Sequence, residues 1–232
     1  MDLVLGLQKL TLLDYPGQTA CTLFTGGCNF RCPYCQNRSL VLSPEEVEPY
    51  SWEEVMRFLQ KRKGLLDGVC ITGGEPLLHP QIDSAIKDIR SLGYRVKLDT
   101  NGCDPARLAE ILNQGLVDYV AMDVKNAPAR YAETVGIPGF NPAPVEESIR
   151  LLRKSTVDYE FRTTLVRELH RPEDLDAIAA WLAGAPRYYL QNFVDSGNLI
   201  GRGYHGFTAE QLQGFAERVR PFFGAVELRG ID

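Results

Sequence analysis

Three of the six cysteines in this chain fall within eight residues. They form the pattern Cys28-x3-Cys32-x2-Cys35 inside the segment Thr25–Asn37. Thiolates bind iron and zinc well, and close spacing lets one loop wrap a single metal centre. Structural zinc sites and ferredoxin clusters take four protein ligands, and no fourth cysteine lies nearby. The spacing therefore favours an iron–sulfur cluster that leaves one iron open for a small-molecule ligand.

A structural zinc site, or a chance grouping of cysteines, is the alternative for this segment. His79 is the one histidine placed to complete a zinc site, since His170 and His205 have no partner in the sequence. The other cysteines are scattered. Cys21 and Cys70 fall in predicted strands and are predicted core residues, and Cys103 follows a predicted loop, so the sequence contains no second cluster.

Strand-like and helical segments alternate about six times along the chain. The predicted strands are Leu3–Leu7, Lys9–Leu13, Ala20–Phe24, Gly68–Ile71, Arg95–Leu98, Tyr119–Met122, Asp158–Leu165, Tyr188–Phe193 and Ala225–Leu228. The predicted helices cover 51–63, 81–92, 145–154 and 172–183, with further starts at Asp104-Pro105 and Thr208. This alternation predicts an α/β fold with parallel strands and helices outside them. No linker divides the chain, so we expect a single domain over residues 1–232.

Polar and glycine-rich motifs coincide with the carboxyl ends of these strands. The motifs are the cysteine loop, Gly73-Gly74-Glu75-Pro76, Asp99-Thr100-Asn101-Gly102, Asp123-Val124-Lys125 and Phe161-Arg162-Thr163-Thr164. In barrels and open α/β sheets, ligands bind at that edge. We therefore expect motifs that are far apart in the sequence to meet on one surface.

Charge and hydropathy exclude several classes of protein. A net charge of −5 argues against a nucleic-acid binder, which would carry a basic surface. The start of the chain does not resemble a signal peptide, because charged residues interrupt its apolar stretches at Asp2, Lys9 and Asp14. No window reaches the roughly 18 apolar residues of a membrane span. These features predict a cytoplasmic protein with no membrane partner, in a compartment where thiols stay reduced.

Together, the motifs resemble the signature of the radical S-adenosylmethionine superfamily. The most specific part is the cysteine triad with Tyr34 just before its last member, and the Gly-Gly-Glu-Pro, Asp-Thr-Asn-Gly and Met122–Lys125 motifs agree with it. Within that superfamily the chain resembles the activating enzymes of glycyl radical enzymes. The nearest subgroup is the anaerobic ribonucleoside-triphosphate reductase activating proteins, through the stretches 9–17, 27–35 and 161–164.

The resemblance implies a fold, two cofactors and a reaction. The fold would be a partial (βα)6 barrel, and Cys28, Cys32 and Cys35 would hold a [4Fe-4S] cluster whose open iron binds S-adenosylmethionine. Reductive cleavage would give a 5′-deoxyadenosyl radical, which takes a hydrogen from a glycine of the partner reductase. Flavodoxin or ferredoxin would supply the electron. The radical would react with water, so a closed and partly apolar pocket is required.

The resemblance also implies contacts to S-adenosylmethionine. Gly73 and Gly74 would let the backbone approach the ligand closely, and Glu75 would accept from its ammonium group. A plain turn before a helix is the alternative for these glycines. Tyr34 and Gln36 would contact adenine or cap the cysteine loop.

Further contacts are implied at the neighbouring strand ends. In pyruvate formate-lyase activating enzymes, the residues that correspond to Asp99, Thr100 and Asp123 help to build a monovalent cation site beside the cofactor carboxylate. We therefore predict such a cation on Asp99 and Asp123, since two carboxylates suit a hard cation, with helix capping as the alternative. Asn101 in the same loop is a further candidate cofactor contact.

Two cations and one amide complete the candidate cofactor site. Lys125 and Arg162 would bind the carboxylate or ribose of the cofactor, or Arg162 would hold the substrate backbone. The alternative for each is a solvated charge or a local salt bridge. Gln191 lies on the strand where pyruvate formate-lyase activators place a histidine, and this difference weakens the match to that subgroup.

Three functions remain as alternatives at this stage. The chain could activate another glycyl radical enzyme, such as one of the pyruvate formate-lyase type. It could act on a small molecule, such as a pterin-derived ring. The third alternative is a structural metal-binding protein without catalytic activity.

Overall fold

A computed structural model describes residues 3–231. The strands are β1 Val4–Thr11, β2 Ala20–Thr25, β3 Gly68–Gly73, β4 Arg95–Thr100, β5 Tyr119–Asp123, β6 Asp158–Leu165, β7 Arg187–Asn192 and β8 Ala225–Arg229. The α-helices are α1 Arg38–Leu42, α2 Trp52–Arg62, α3 Ile82–Ser91, α4 Pro105–Asn113, α5 Tyr131–Val135, α6 Ala143–Lys154, α7 Pro172–Leu182 and α8 Ala209–Val219.

The strands form one sheet in chain order, from β1 at one edge to β8 at the other. Neighbouring strands from β2 to β8 are parallel, and one or more helices follow each strand from β2 to β7. The first and last strands do not pair with each other, so the barrel is open. This arrangement confirms the predicted partial (βα)6 barrel and adds one strand at each edge.

The first strand differs from the sequence prediction. Instead of two short pieces, β1 is a single strand that runs antiparallel to β2. Its register with β2 shifts between Val4 and Gly6 and again between Gln8 and Thr11. Such bulges break the alternation of side chains along a strand, so the sequence pattern looked interrupted where the strand continues.

Local sequence explains where the helices begin. The Ser51 hydroxyl accepts from the backbone of Glu54 at 3.2 Å, while the Glu54 carboxylate accepts from the backbone of Ser51 at 2.9 Å, which completes the capping box of α2. Asp104 caps α4 in a similar way through the backbone of Arg107, at 2.9 Å. These caps fix where each helix leaves the strand end before it.

The two faces of the sheet have different chemistry. On β4, Val96 and Leu98 are fully buried in the apolar core that also contains Ile86 of α3 and Ile111 of α4. Because side chains alternate along a strand, Lys97 and Asp99 share the opposite face, inside the barrel. The interior of the barrel is therefore partly polar, and its charged groups lead towards the carboxyl ends of the strands. No helix within residues 3–231 combines the length and apolarity needed to cross a membrane.

Candidate functional site

The carboxyl ends of the strands surround a cavity of about 200 Å³. The predicted site residues on its wall are Cys28, Cys32, Tyr34, Cys35, Gln36, Gly73, Gly74, Glu75, Asp99, Thr100, Asn101, Asp123 and Lys125. Arg162 and Gln191 are not on this wall. Arg162 binds two of the wall residues instead, and Gln191 is half-buried on β7. The motifs thus meet at one edge of the sheet, as their positions after the strands predicted.

The cysteine loop is held by hydrogen bonds from its own backbone and from the loop after β4. The Phe30 amide donates to Cys28 Sγ at 3.4 Å, and the Cys35 amide donates to the Cys32 carbonyl at 3.0 Å. The side-chain amide of Asn101 donates to Asn29 Oδ1 at 2.7 Å. These bonds tie the segment that carries the cysteines to the end of β4.

Burial makes Cys28 and Cys32 poor thiolates in the metal-free protein. It raises the pKa of Cys28 and raises that of Cys32 to about 12, although the Lys125 ammonium opposes both shifts. Iron binds the thiolate form, so loading the site must release protons. Within residues 3–231, no three His, Cys, Asp or Glu side chains converge closely enough to share one metal ion.

The two adjacent glycines allow β3 and the cysteine loop to touch through their backbones. A Cβ atom on Gly74 would lie 1.8 Å from the Gly27 carbonyl oxygen. One on Gly73, whose φ is +113°, would lie 2.5 Å from the Thr25 nitrogen. The Glu75 amide donates to the same Gly27 carbonyl at 2.8 Å. The close approach made possible by these glycines is thus between two stretches of main chain, at the wall of the cavity.

Replacing Gly74 with alanine should destabilise the protein by about 3 kcal/mol, because the backbone of Gly27 cannot move away without displacing the cysteine loop. Thermal unfolding of the apoprotein measures this effect. Gly214→Ala is the matched control: Gly214 lies on α8 and a Cβ there meets nothing within 4 Å. That variant should gain about 0.5–1 kcal/mol from helix propensity. Equal melting temperatures for the two variants would contradict the tight contact.

Glu75 is buried and held at both oxygens. Its Oε1 accepts from the Thr100 hydroxyl at 2.8 Å and from the Leu77 amide at 3.2 Å, and its Oε2 accepts from the Asn101 amide at 2.7 Å. Burial raises the pKa of Glu75 to about 7, against these hydrogen bonds, which favour the charged form. The carboxyl group is therefore fixed in place and poised to ionise near neutral pH.

Asp99 and Asp123 are joined by one guanidinium group. Arg162 donates from Nη1 to Asp99 Oδ2 and from Nε to Asp123 Oδ1, both at 2.9 Å. Lys125 donates to the other oxygen of Asp123 at 3.0 Å, and Lys97 pairs with the other oxygen of Asp99. Burial alone would raise the pKa of both carboxyl groups, but the neighbouring cations hold them below their usual range. The cation predicted on Asp99 and Asp123 stays a prediction, and in the structure both carboxylates are bound by side-chain cations.

Some residues of the wall were not singled out from the sequence. They are Phe30, Val41, Thr72 and Phe193. Phe193 directly follows β7, so the rule that located the other motifs could have found it, as it found Thr164 in the motif on β6. Lys97 was missed because it belongs to no motif and lies within a strand that is mostly apolar.

One buried polar atom suits a bound ligand. Tyr34 lines the cavity, and its buried Oη has no hydrogen-bond partner among the described residues. Its ring packs edge-on against Phe193, with the ring centres 6.4 Å apart. Buried hydroxyl groups normally find a partner, so a ligand with a polar atom at this point would satisfy it. The residues of the cavity wall thus carry three thiols, three carboxyl groups, an ammonium group and an unpartnered hydroxyl.

An open parallel barrel with a cysteine triad at its carboxyl edge is the arrangement expected of enzymes that join an iron–sulfur cluster to a small-molecule ligand. The model of the radical SAM superfamily matches residues 22–182, and the chain belongs to this superfamily. Its members use a [4Fe-4S] cluster and S-adenosylmethionine. The thiols and the unpartnered Tyr34 hydroxyl fit these two groups.

Two curated relatives show which proteins the chain is similar to. It is 34% identical over 197 residues to MJ1227 of Methanocaldococcus jannaschii, provisionally named a glycyl-radical enzyme activating enzyme. That match covers 82% of this chain and 80% of the relative. The chain is also 45% identical over 170 residues to a 7-carboxy-7-deazaguanine synthase of Hyperthermus butylicus, over 69% of this chain and 62% of the synthase.

The fold also occurs in solved structures of low sequence identity. Streptococcus suis SuiB, in its structure bound to S-adenosylmethionine, aligns with a TM-score of 0.69 at 15% identity. The match covers 88% of this chain and 48% of SuiB, so this chain corresponds to about half of that protein.

Proposed function

We propose that this chain is an activating enzyme that generates a glycyl radical on an anaerobic ribonucleoside-triphosphate reductase. The observation that carries the proposal is the correspondence with MJ1227 over about four fifths of both chains. The match to the deazaguanine synthase leaves more than a third of that enzyme without a counterpart. The choice of reductase as partner rests on the resemblance of the stretches 9–17, 27–35 and 161–164.

The wall residues have separate tasks in this proposal. Cys28, Cys32 and Cys35 hold the cluster, which together with S-adenosylmethionine supplies the 5′-deoxyadenosyl radical. Glu75 accepts from the ammonium group of the methionine moiety, and Lys125 binds its carboxylate. Both side chains are already fixed by hydrogen bonds, so binding needs little ordering of the protein.

The open barrel suits a protein substrate. The strands β1 and β8 leave one side of the sheet unclosed, and a loop of the partner could enter there and exclude water. The segment after β7 lies against the cysteine loop, because the amides of Ile200 and Gly201 donate to the carbonyls of Cys35 and Pro33 at 3.3 and 2.6 Å. A glycine on such a loop adds no side chain that would clash with the cavity wall. Flavodoxin or ferredoxin would deliver the electron.

The affinity for S-adenosylmethionine should depend on pH through Glu75. The folded pKa of Glu75 is about 7, so its carboxylate becomes available to the ligand ammonium as the pH rises through 7. An α-amino group loses its proton near pH 8, which removes the partner charge again. Affinity should therefore be highest between about pH 7 and 8 and fall several-fold towards pH 6. Equilibrium binding to the reconstituted enzyme across pH 6–9 measures this profile.

Two variants test whether Glu75 causes the acidic limb of that profile. Glu75→Gln should bind S-adenosylmethionine weakly at every pH. Its side chain carries no charge, and its NH2 group would face a backbone N–H donor. Glu45→Gln is the control, since Glu45 is exposed and lies away from the cavity wall. An affinity that is unchanged between pH 6 and 7 in the wild type would contradict the role given to Glu75.

An anaerobic assay tests the proposed function as a whole. The reconstituted enzyme is mixed with a reductant, S-adenosylmethionine and a candidate reductase, and the products are followed by electron paramagnetic resonance and chromatography. We expect a glycyl doublet on the reductase and one 5′-deoxyadenosine for each radical formed. With a reductase deuterated at its glycines, the deuterium should appear in 5′-deoxyadenosine. Turnover of S-adenosylmethionine without any doublet would contradict the proposal.

The 45% identity to a 7-carboxy-7-deazaguanine synthase supports a second candidate, a radical enzyme that acts on a small heterocycle. The same assay separates the two candidates when a pterin-type ring replaces the reductase. Formation of 5′-deoxyadenosine that depends on the ring, without a protein radical, would favour this second function.

A further inference from the structure

Lys97 is a charged residue in an unusual place. Its side chain is fully buried inside the barrel, one layer below the cavity wall, on the same face of β4 as Asp99. Its neighbours in register are Cys70 on β3 and Tyr119 on β5. A buried ammonium group is costly unless it is paired, and lysine is almost never fully buried otherwise. Lys97 therefore needs a reason to be there.

The burial of Lys97 is offset by an ion pair with Asp99, which together with Asp123 forms the carboxylate pair. Lys97 forms an ion pair with Asp99 Oδ1, and its Nζ lies 3.8 Å from Cys70 Sγ. Arg162 binds the second oxygen of Asp99 and the first oxygen of Asp123. Lys125 binds the second oxygen of Asp123. Each of the four carboxylate oxygens thus accepts from a cationic side chain.

The charges at this point already suit an anionic ligand. Three cationic side chains contact two carboxylates, which leaves one positive charge in excess, since the nearby buried Glu160 pairs with its own cation, Arg229. The carboxylate of the bound cofactor would neutralise that excess. A metal cation on the same two carboxylates would instead lie beside the three cationic side chains and raise the excess to two charges in a buried site.

We propose that the Lys97 ammonium, together with the Arg162 guanidinium, takes the place of the monovalent cation that the resemblance predicts on Asp99 and Asp123. Lys97 is then a positioning residue: it acts through Asp99 and does not touch the cofactor. This enzyme would need no added monovalent cation for stability or for binding S-adenosylmethionine. The inference concerns the carboxylate pair alone and does not depend on which substrate receives the radical.

The wild-type protein tests this inference directly. Its melting temperature and its affinity for S-adenosylmethionine are measured in sodium, potassium and tetramethylammonium chloride at one ionic strength. Tetramethylammonium is too large to enter between two carboxylates. We expect the three salts to agree within about 1 °C and within twofold in affinity. A saturable stabilisation by sodium or potassium alone would overturn the proposal.

Lys97→Met gives the complementary result, because it keeps the length of the side chain and removes its charge. Breaking a buried ion pair in a protein of this size should lower the melting temperature by about 10 °C in tetramethylammonium chloride. Sodium or potassium should then restore part of the loss, since a free ion can take the vacated place. Lys87→Met, on the exposed face of α3, is the control and should respond to neither salt.

The cation response distinguishes replacement from an ordinary ion pair. A Lys97→Met protein that is destabilised equally in all three salts would overturn the proposal, because Lys97 would then be only a structural partner of Asp99. If Lys97→Met cannot be purified in folded form, the wild-type salt comparison still decides, since it needs no variant.

Discussion

Cys32→Ala should abolish cluster binding and with it the cleavage of S-adenosylmethionine. Cys32 carries the middle thiol of the triad, lies on the cavity wall and is 7% exposed. Loss of a partner that only orients a metal ligand costs 10–100-fold in affinity or activity, so loss of a ligand itself should cost at least about 1,000-fold. Alanine removes one sulfur atom and leaves the loop hydrogen bonds in place, so the apoprotein should still fold. Iron and sulfide content and 5′-deoxyadenosine yield after anaerobic reconstitution measure the effect.

Cys103→Ala is the matched control for this variant. Cys103 is also partly buried and lies in the loop after β4, but it is outside the triad and does not line the cavity. It should take up as much iron and sulfide as the wild type. Full iron content or retained cleavage in Cys32→Ala would refute the cluster assignment. Zinc uptake without iron in the wild type would favour the structural metal site instead.

The parts of the site that were predictable from the sequence are those encoded locally. The cysteine spacing, the paired glycines and the Asp-Thr-Asn-Gly loop are each contiguous. Each follows an apolar strand, and parallel strands bring their carboxyl ends to one edge. That one rule gathered most of the wall of the cavity, including Thr164. It would also have gathered Phe193 if it had been applied to the end of β7.

The parts that could not be predicted depend on contacts between distant residues. Asp99 and Arg162 are 63 positions apart, and only the closing of the sheet from β4 to β6 brings them together. Lys97 belongs to no sequence motif. Its role depends on its position next to Asp99, facing the interior of the barrel. The antiparallel direction of β1 could not be predicted either. Side chains alternate between the two faces in the same way in antiparallel and in parallel strands.

Arg162→Met should strongly destabilise the protein. Arg162 is 8% exposed and binds Asp99 and Asp123 together, so its loss leaves two buried carboxylates short of a partner. Breaking a buried ion pair from one side costs about 3–5 kcal/mol, which corresponds to about 10 °C in melting temperature for a chain of this length. Arg162→Lys should recover only part of this, because one ammonium cannot reach both carboxylates in the same way.

The loss of stability should be largest near neutral pH and should shrink as the solution becomes more acidic. In the wild type the pKa values of Asp99 and Asp123 lie below those of the unfolded chain, since the neighbouring cations outweigh the effect of burial. Their contribution to stability is therefore complete above about pH 4 and is lost only as the pH falls through the folded pKa values. Without Arg162 these pKa values rise, so the two carboxylates stabilise the variant less above about pH 4. The difference in melting temperature between wild type and variant should therefore narrow as the pH falls towards the folded pKa values.

An exposed ion pair of the same residue types separates the effect of burial from the effect of charge. Arg218 and Asp176 form such a pair, with side chains that are 46% and 49% exposed. Exposed pairs are screened by water and salt, so Arg218→Met should leave the melting temperature and the acid midpoint nearly unchanged. If Arg162→Met and Arg218→Met shifted the melting temperature and the acid midpoint by the same amount, the carboxylates of Asp99 and Asp123 would have to be solvated. The guanidinium bridge would then not be what holds Asp99 and Asp123 in register with the cavity.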